Sequence, residues 1–156
     1  GLMIDKAGKP KVIEFNCRFG DPETQPVMLR LQSSLVLLIE AAFAEALDKV
    51  EAQWDPRPSL GVVLAAGGYP ADYAKGDAIK GLEQAAALPG KVFHAGTALK
   101  DGQVVTSGGR VLCATAMGVT VSEAQQQAYQ LAAQIDWNGC FYRKDIGYRA
   151  IAREQQ

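Results

Sequence analysis

Short apolar runs separated by glycine- and proline-containing turns dominate the second half of the chain. Many of their residues are β-branched, which is typical of strands in an antiparallel sheet or a barrel-like domain. These runs predict strands at residues 60–66, 78–79, 91–94, 104–105 and 110–116. Near the amino terminus, residues 1–5 and 11–15 flank a glycine- and proline-containing turn and predict a strand hairpin.

Two longer segments repeat apolar residues at steps of three and four, which is the spacing of one helix face. The first predicts a helix over residues 34–50, with Ser33 or Ser34 as its N-cap and its apolar stripe in the core. That stripe consists of Leu35, Leu38, Ile39, Ala42, Phe43, Ala46 and Leu47. The second helix follows the capping box of Thr120 and Glu123 and runs to about residue 135. A short helix is also predicted at residues 26–31, because proline favours a first turn.

The segment at residues 53–58 carries two prolines in three residues and interrupts both patterns. We place a domain boundary there, with residues 1–54 on one side and residues 55–156 on the other. The predicted class is α+β, with a strand hairpin and helices before this boundary and a small antiparallel sheet or barrel-like domain with a packed helix after it.

Composition narrows the possible functions. With 48% apolar residues, 21% charged residues and a net charge of −1, the chain can bury a core and has no basic block for nucleic acid. Its longest apolar run, residues 35–39, is too short to span a bilayer, so we expect no membrane partner. Cys17, Cys113 and Cys140 have no paired spacing, and we expect a reducing, cytoplasmic location. The chain opens with Gly-Leu rather than an initiator Met, so the sequence does not decide whether a secretory signal precedes it.

Three polar residues of different chemistry follow the second strand of the predicted hairpin. On a strand, Glu14, Asn16 and Arg18 share one face, and Ile13, Phe15 and Cys17 would face the core. A carboxylate and an amide oxygen suit Mg²⁺, and a guanidinium matches phosphate or carboxylate. The alternative is an ordinary half-exposed strand with its polar residues outward.

The run Glu-Phe-Asn-Cys-Arg-Phe-Gly-Asp-Pro-Glu-Thr-Gln at residues 14–25 resembles the metal-site segment of one enzyme family. That family is glycinamide ribonucleotide synthetase (phosphoribosylamine–glycine ligase), a group of ATP-grasp enzymes in purine biosynthesis. The stretches that agree in order lie at residues 61–70, 91–97, 108–112 and 143–147. The resemblance covers the whole chain but only the carboxy-terminal part of such an enzyme. It implies that residues 1–54 end an ATP-grasp catalytic domain and that residues 55–156 form a sheet-rich domain with a packed helix.

The resemblance also implies a reaction and roles in it. ATP would phosphorylate glycine to glycyl phosphate, and the amine of 5-phosphoribosylamine would attack that acyl phosphate. By motif position Glu14 and Asn16 would ligate Mg²⁺ or Mn²⁺, Arg18 would stabilise the acyl phosphate, and Asp21 would orient phosphoribosylamine. ATP is a co-substrate, for which no residue here is assigned. The remaining partner is the missing amino-terminal part of the enzyme, so this fragment alone is expected to be inactive.

Other features allow two interpretations each. Gly67 and Gly68 would admit a substrate close to the backbone or form a strand-to-loop turn. The segment at residues 107–110, ending in Arg110, would be an anion cradle or, as we favour, a hairpin turn. His94 would be an acid or base or, as we favour, a half-buried strand residue. The charges at residues 143–145 are either solvated or a docking contact.

Two rival functions stay open. Another ATP-grasp carboxylate–amine ligase or a biotin-dependent carboxylase would share Glu-x-Asn-x-Arg, although the run at residues 19–23 favours the purine enzyme. A non-catalytic docking or carrier module would need a lysine at a hairpin tip. Lys100 lies in such a turn but lacks the flanking methionines of biotin or lipoyl carriers.

Overall fold

The structure, a computed structural model, describes residues 1–155 and contains seven strands and five α-helices within them. The strands are β1 (Leu2–Ile4), β2 (Pro10–Val12), β3 (Ser59–Ala65), β4 (Lys91–His94), β5 (Thr97–Lys100), β6 (Gln103–Thr106) and β7 (Arg110–Met117). The helices are α1 (Thr24–Arg30), α2 (Leu35–Phe43), α3 (Leu82–Ala86), α4 (Val121–Gln134) and α5 (Tyr148–Glu154), with a 3₁₀ turn at Leu47–Lys49. No helix in this described part is long and apolar enough to cross a membrane.

The strands form small antiparallel sheets, as the sequence predicts. The main sheet has the order β3-β7-β4, while β1 pairs with β2 and β5 pairs with β6. In the main sheet Leu64 and Phe93 lie opposite Leu112 and Cys113 respectively. Residues 78–79 form only one bridge, between Ala78 and Val105, rather than a strand. The mixed α and β architecture is confirmed, and the sheets are open rather than closed into a barrel.

The core lies between one face of the main sheet and α4. Alternate residues of the sheet point at the helix, because side chains alternate along a strand. The buried contributors from β3, β7 and α4 include Leu60, Val62, Leu64, Leu112, Ala114, Ala116, Ala124, Ala128 and Leu131. The central strand β7 is therefore paired along both edges and packed against α4.

The predicted capping box starts α4. The Thr120 hydroxyl accepts a hydrogen bond from the Glu123 N–H at 3.1 Å, and the Glu123 carboxylate accepts one from the Val119 N–H. A second carboxylate reaches the same helix end, since Glu154 of α5 accepts from the Val121 N–H at 2.7 Å and the Ser122 N–H at 3.3 Å. The tail therefore folds back onto the core helix.

The other face of the main sheet receives α1. The Ser59 hydroxyl donates to the Pro26 carbonyl at 2.7 Å, and the Arg30 guanidinium donates to the Asp55 carbonyl at 3.0 Å. Helix α1 begins at Thr24, two residues before the predicted start at Pro26. The boundary near residue 54 stays a prediction, with α1 lying against the sheet across it.

Two expectations for α2, its length and the burial of its apolar stripe, are wrong for the described chain. Helix α2 begins after the predicted N-cap Ser34, whose hydroxyl accepts from the Leu37 N–H at 3.4 Å, but it ends at Phe43 instead of residue 50. Its apolar stripe is not buried: Phe43 is 87% exposed and no residue of α2 is buried. Eight of the nine residues of α2 are apolar, and none of them is buried within residues 1–155.

Candidate functional site

The segment after β2 carries the predicted metal-site residues on a loop rather than a strand. Strand β2 stops at Val12, not at residue 15 as predicted. Its pairing continues irregularly to Glu14, because the Ile13 N–H donates to the Gly1 carbonyl at 2.9 Å and the amino terminus donates to the Glu14 carbonyl at 2.8 Å. Glu14 is thus tied to the hairpin through its backbone while its side chain stays exposed.

The side chains of Glu14, Asn16 and Arg18 contact one another in series. The Asn16 amide donates to the Glu14 carboxylate at 3.5 Å, and Arg18 Nη1 donates to the Asn16 side-chain oxygen at 3.0 Å. The same Nη1 donates to the Phe19 carbonyl at 3.1 Å. The structure therefore brings together the three polar groups that alternation predicts on one side.

The side chains expected opposite them do not reach a core. Ile13 is 63% exposed, Phe15 is 84% exposed, and Cys17 is exposed as well. That expectation is wrong because the loop has no apolar surface behind it within residues 1–155.

Asp21 lies three residues after Arg18 and contacts the second half of the chain. Arg110 Nη2 donates to Asp21 Oδ2 at 2.9 Å, across 89 positions of sequence. The Arg110 guanidinium also lies over the Tyr69 ring, 5.8 Å from its centroid. Glu23 occupies the N-cap position of α1 but its side chain makes no capping hydrogen bond. Sequence reasoning left Arg110 without a role, since no local pattern signals a contact over such a separation.

A cavity of about 460 Å³ opens beside this ion pair. It lies on the same face of the main sheet as α1, and its wall is mostly apolar. The lining residues are Pro22, Gly61, Val63, Ala65, Tyr69, Pro70, Arg110, Phe141, Tyr142, Arg143 and Ile146. The loop with Asp21 therefore borders a pocket that could receive a ligand or another segment of polypeptide.

The side-chain oxygens of Glu14 and Asn16 fit a divalent cation that keeps part of its hydration shell. Among residues 1–155 no three His, Cys, Asp or Glu side chains cluster as a cage, so Glu14 and Asn16 would supply only two oxygens. Mg²⁺ is typically held by few protein ligands with water or phosphate completing its coordination. Asn16 donates its amide N–H toward Glu14, so ligation would require the amide to present its oxygen instead.

The other titratable candidates have structural explanations. His94 is exposed rather than half-buried, and its Nδ1 lies 3.0 Å from the Thr97 hydroxyl. Burial raises the pKa of the Cys113 thiol, helped by the negative charge of Asp21. Burial likewise raises the pKa of Cys140 to about 11, so both thiols stay protonated and unreactive near neutrality.

The glycine-containing segments at residues 67–68 and 107–110 pack against backbone atoms of other loops, rather than leaving their backbone open to a ligand. A Cβ on Gly67 would lie 2.9 Å from the Gly139 carbonyl, so this segment is a strand-to-loop turn packed on another loop. In the segment at residues 107–110, the Ser107 and Gly108 N–H groups both donate to the Gly96 carbonyl and are not directed at an anion. It is a turn between β6 and β7, although those two strands do not pair as a hairpin.

The charged cluster near residue 144 is an ion pair within its own loop. Arg143 binds Asp145 through two hydrogen bonds of 2.9 Å and 2.7 Å, and this pairing lowers the pKa of Asp145. Both side chains are more than half exposed, which agrees with the solvated interpretation.

Comparison with known proteins identifies similar sequences over the full chain. A sequence model of the family "Phosphoribosylglycinamide synthetase, C domain" matches residues 59–149. The phosphoribosylamine–glycine ligase of Pseudomonas putida is 83% identical over 155 residues, and that of Escherichia coli is 66% identical over 156 residues. Each match covers 99% of this chain, so the similarity extends beyond the family segment into residues 1–58.

The solved structures show the same relationship. The crystal structure of phosphoribosylamine–glycine ligase from Thermotoga maritima superposes with a TM-score of 0.66 at 38% identity, covering 93% of this chain and 35% of that one. The chain spans 36% of the length of the curated relatives it matches.

Proposed function

This chain belongs to the family of the phosphoribosylglycinamide synthetase C domain, and on that premise we propose that it is the carboxy-terminal part of a phosphoribosylamine–glycine ligase. The whole enzyme would join glycine to 5-phosphoribosylamine at the expense of ATP, in purine biosynthesis. The observation that carries the proposal is the series of contacts Glu14–Asn16–Arg18 in a chain that is 83% identical over 155 residues to a ligase of that name.

The chemistry explains why such a site needs both a cation and a guanidinium. A carboxylate is a poor acyl donor because oxide is a poor leaving group, whereas an acyl phosphate releases phosphate readily. Forming glycyl phosphate brings a negative carboxylate to negative phosphates, and bound Mg²⁺ or Mn²⁺ would offset that repulsion. Glu14 and Asn16 would hold the metal.

Arg18 and Asp21 would act on the organic substrates. The Arg18 side chain is exposed next to Asn16, where its planar fork can stabilise the charge of an acyl phosphate. Asp21 would accept a hydrogen bond from the amine of phosphoribosylamine. This would direct the lone pair of the amine nitrogen at the acyl carbon. These roles follow from motif position together with the contacts described above.

The remaining parts of the site would come from the amino-terminal portion of the full-length enzyme, which we propose supplies the nucleotide-binding part of an ATP-grasp domain. The exposed apolar side chains of β1, β2 and α2 support this, since such surface is usually covered in a working protein. We further propose a cytoplasmic location, which fits three unpaired cysteines within residues 1–155.

The test uses the full-length enzyme and measures ADP formation with glycine, phosphoribosylamine and Mg²⁺. Glu14→Gln should reduce kcat at least a hundredfold, because it removes the charged ligand while preserving shape. Glu83→Gln is the matched control, since Glu83 is exposed on α3 and should retain wild-type activity. Wild-type kcat in Glu14→Gln at saturating Mg²⁺ would exclude the ligand role, and a wild-type enzyme without glycine-dependent ADP formation would exclude the ligase.

A further inference from the structure

We propose that Arg110 is a positioning residue that holds Asp21 in the orientation the ligation requires. The inference rests on the proposed function, because it takes Asp21 as the group that orients the amine substrate. Arg110 would act only through Asp21, without touching a substrate itself.

The backbone of Arg110 is held rigidly. It is the first residue of β7, the central strand of the main sheet, and the next two residues, Val111 and Leu112, are fully buried. Leu112 is paired on one side with Leu64 and on the other with His94. The pairing of this strand therefore fixes the position of the Arg110 Cα atom.

The direction of the Arg110 side chain is also constrained. Its guanidinium lies over the Tyr69 ring, and that ring fills the space in which Gly109 lacks a side chain. A Cβ built on Gly109 would come within 2.2 Å of the ring, so only glycine permits this packing. Tyr73 supports the ring from its edge, with the two centroids 6.1 Å apart. The cation is therefore presented toward the loop by an aromatic surface rather than left free in solvent.

The contact with Asp21 joins two parts of the chain. Among the hydrogen bonds of residues 14–22 within the described chain, Arg110 is the partner contributed by the second half. Pro22, the next residue, lines the same cavity as Arg110 and Tyr69, so the ion pair holds the loop at the edge of this cavity.

The geometry leaves half of the Asp21 carboxylate available. Oδ2 accepts from Arg110, while Oδ1 has no hydrogen-bond partner within residues 1–155. Fixing Oδ2 by the hydrogen bond from Arg110 also sets the direction of Oδ1. A donor such as the amine of phosphoribosylamine would then meet an acceptor that is already oriented, and misorientation of such a group is costly for rate.

The experiment is a double-mutant cycle in the full-length enzyme with steady-state kinetics for each substrate. Arg110→Gln should lower kcat/KM for phosphoribosylamine about tenfold and leave the KM values for ATP and glycine within about twofold. Arg110→Lys should recover part of the loss, because it keeps the charge but not the fork. In an Asp21→Asn background, adding Arg110→Gln should cause no further loss, since the residue it positions is already impaired.

Arg57→Gln provides the matched control. Arg57 also pairs with a carboxylate, but its partner Asp55 lies two residues away in its own segment, and Arg57 does not line the cavity. This variant should keep wild-type kinetics for all three substrates.

Several results would overturn the inference. Additive losses in the double variant, an equal effect on all three substrates, or wild-type kinetics in Arg110→Gln would each show that Arg110 does not act through Asp21. If Arg110→Gln failed to fold and Arg110→Lys had wild-type kinetics, the role of Arg110 would be structural only. An inactive wild-type enzyme would instead refute the proposed function, which keeps the two failures distinct.

Discussion

Replacing Leu131 with alanine should destabilise the sheet–helix core by about 4 kcal/mol. Leu131 is fully buried on the face of α4 that packs against β3 and β7. The substitution removes three carbon atoms, and the transfer free energy alone amounts to about 2.4 kcal/mol at about 0.8 kcal/mol per methylene. The rest of the estimate is the cost of the cavity left behind.

The surroundings of Leu131 determine how much of that cavity persists. Its Cδ1 lies only 2.6 Å from the position where a Cβ on Gly90 would be, and the Ala116 methyl lies 3.2 Å from the same point. Much of the neighbouring core is alanine, which has no rotamers with which to fill a void. The core alanines are Ala66, Ala85, Ala114, Ala116, Ala124, Ala128 and Ala132. We therefore expect a cost in the upper part of the range for leucine-to-alanine substitutions.

Equilibrium urea unfolding of the 156-residue chain measures the effect. Trp137 is 3% exposed and reports on the core, whereas Trp54 is 44% exposed, so a Trp54→Phe background isolates the informative signal. Leu37→Ala is the control, because it makes the same chemical change at a side chain that is 63% exposed on α2. It should change the free energy of unfolding by less than about 0.5 kcal/mol. A loss below about 1.5 kcal/mol in Leu131→Ala, or equal losses in both variants, would contradict the packing described here.

Three further predictions concern a helix cap, an acidic ion pair and the candidate site. In the same urea assay, Thr120→Ala should reduce the free energy of unfolding by about 1 kcal/mol. Thr120→Ser keeps the capping hydroxyl and should therefore retain most of the stability that the alanine variant loses. Hydrogen bonds from the Arg57 side chain and backbone lower the pKa of Asp55 from 3.8 to about 2. A lowered carboxyl pKa stabilises the fold above the unfolded-state value and loses that effect as pH falls through the folded-state value. The difference in urea midpoint between wild type and Asp55→Asn should therefore be constant near neutrality and shrink as pH falls from about 4 toward 2; a difference independent of pH would argue against the pairing. In the full-length enzyme Arg18→Lys should lower kcat at least tenfold, because a point charge does not replace the planar fork, whereas Arg153→Lys on exposed α5 should not change it.

The elements that the sequence predicts well are those whose signals are local. Strands β3, β4 and β7 and helix α4 lie within a residue or two of their predicted bounds, because alternation, glycine turns and the Thr120–Glu123 capping box all act over a few residues. The short helix α3 and strand β5 were not predicted. Strand β5 (Thr97–Lys100) is short and largely exposed, so it shows no alternation of buried and exposed residues from which to predict it.

Burial in the first fifty residues could not be predicted from the same signals. The stripe of α2 shows which face is apolar, but a periodic pattern cannot tell whether the surface that covers it belongs to the same stretch of chain. Phe15 and Phe43 illustrate the error, since both were assigned to a core and both are more than four-fifths exposed.

The candidate site was partly predictable. Alternation placed Glu14, Asn16 and Arg18 on one side, and their side chains do contact one another even though the backbone there is not a regular strand. The pairing of Asp21 with Arg110 depends on the tertiary packing of a loop on β7 and has no counterpart in local sequence.

The carboxylate of Glu154 bears on how this protein can be engineered. Since it caps the start of α4 from the last turn of α5, the principal core helix depends on residues only a few positions from Gln156. A cloning boundary drawn before Glu154, or trimming by a carboxypeptidase, would strip an acceptor from two backbone amides at once. A fusion tag at that end should therefore follow a flexible spacer, so that α5 can stay docked.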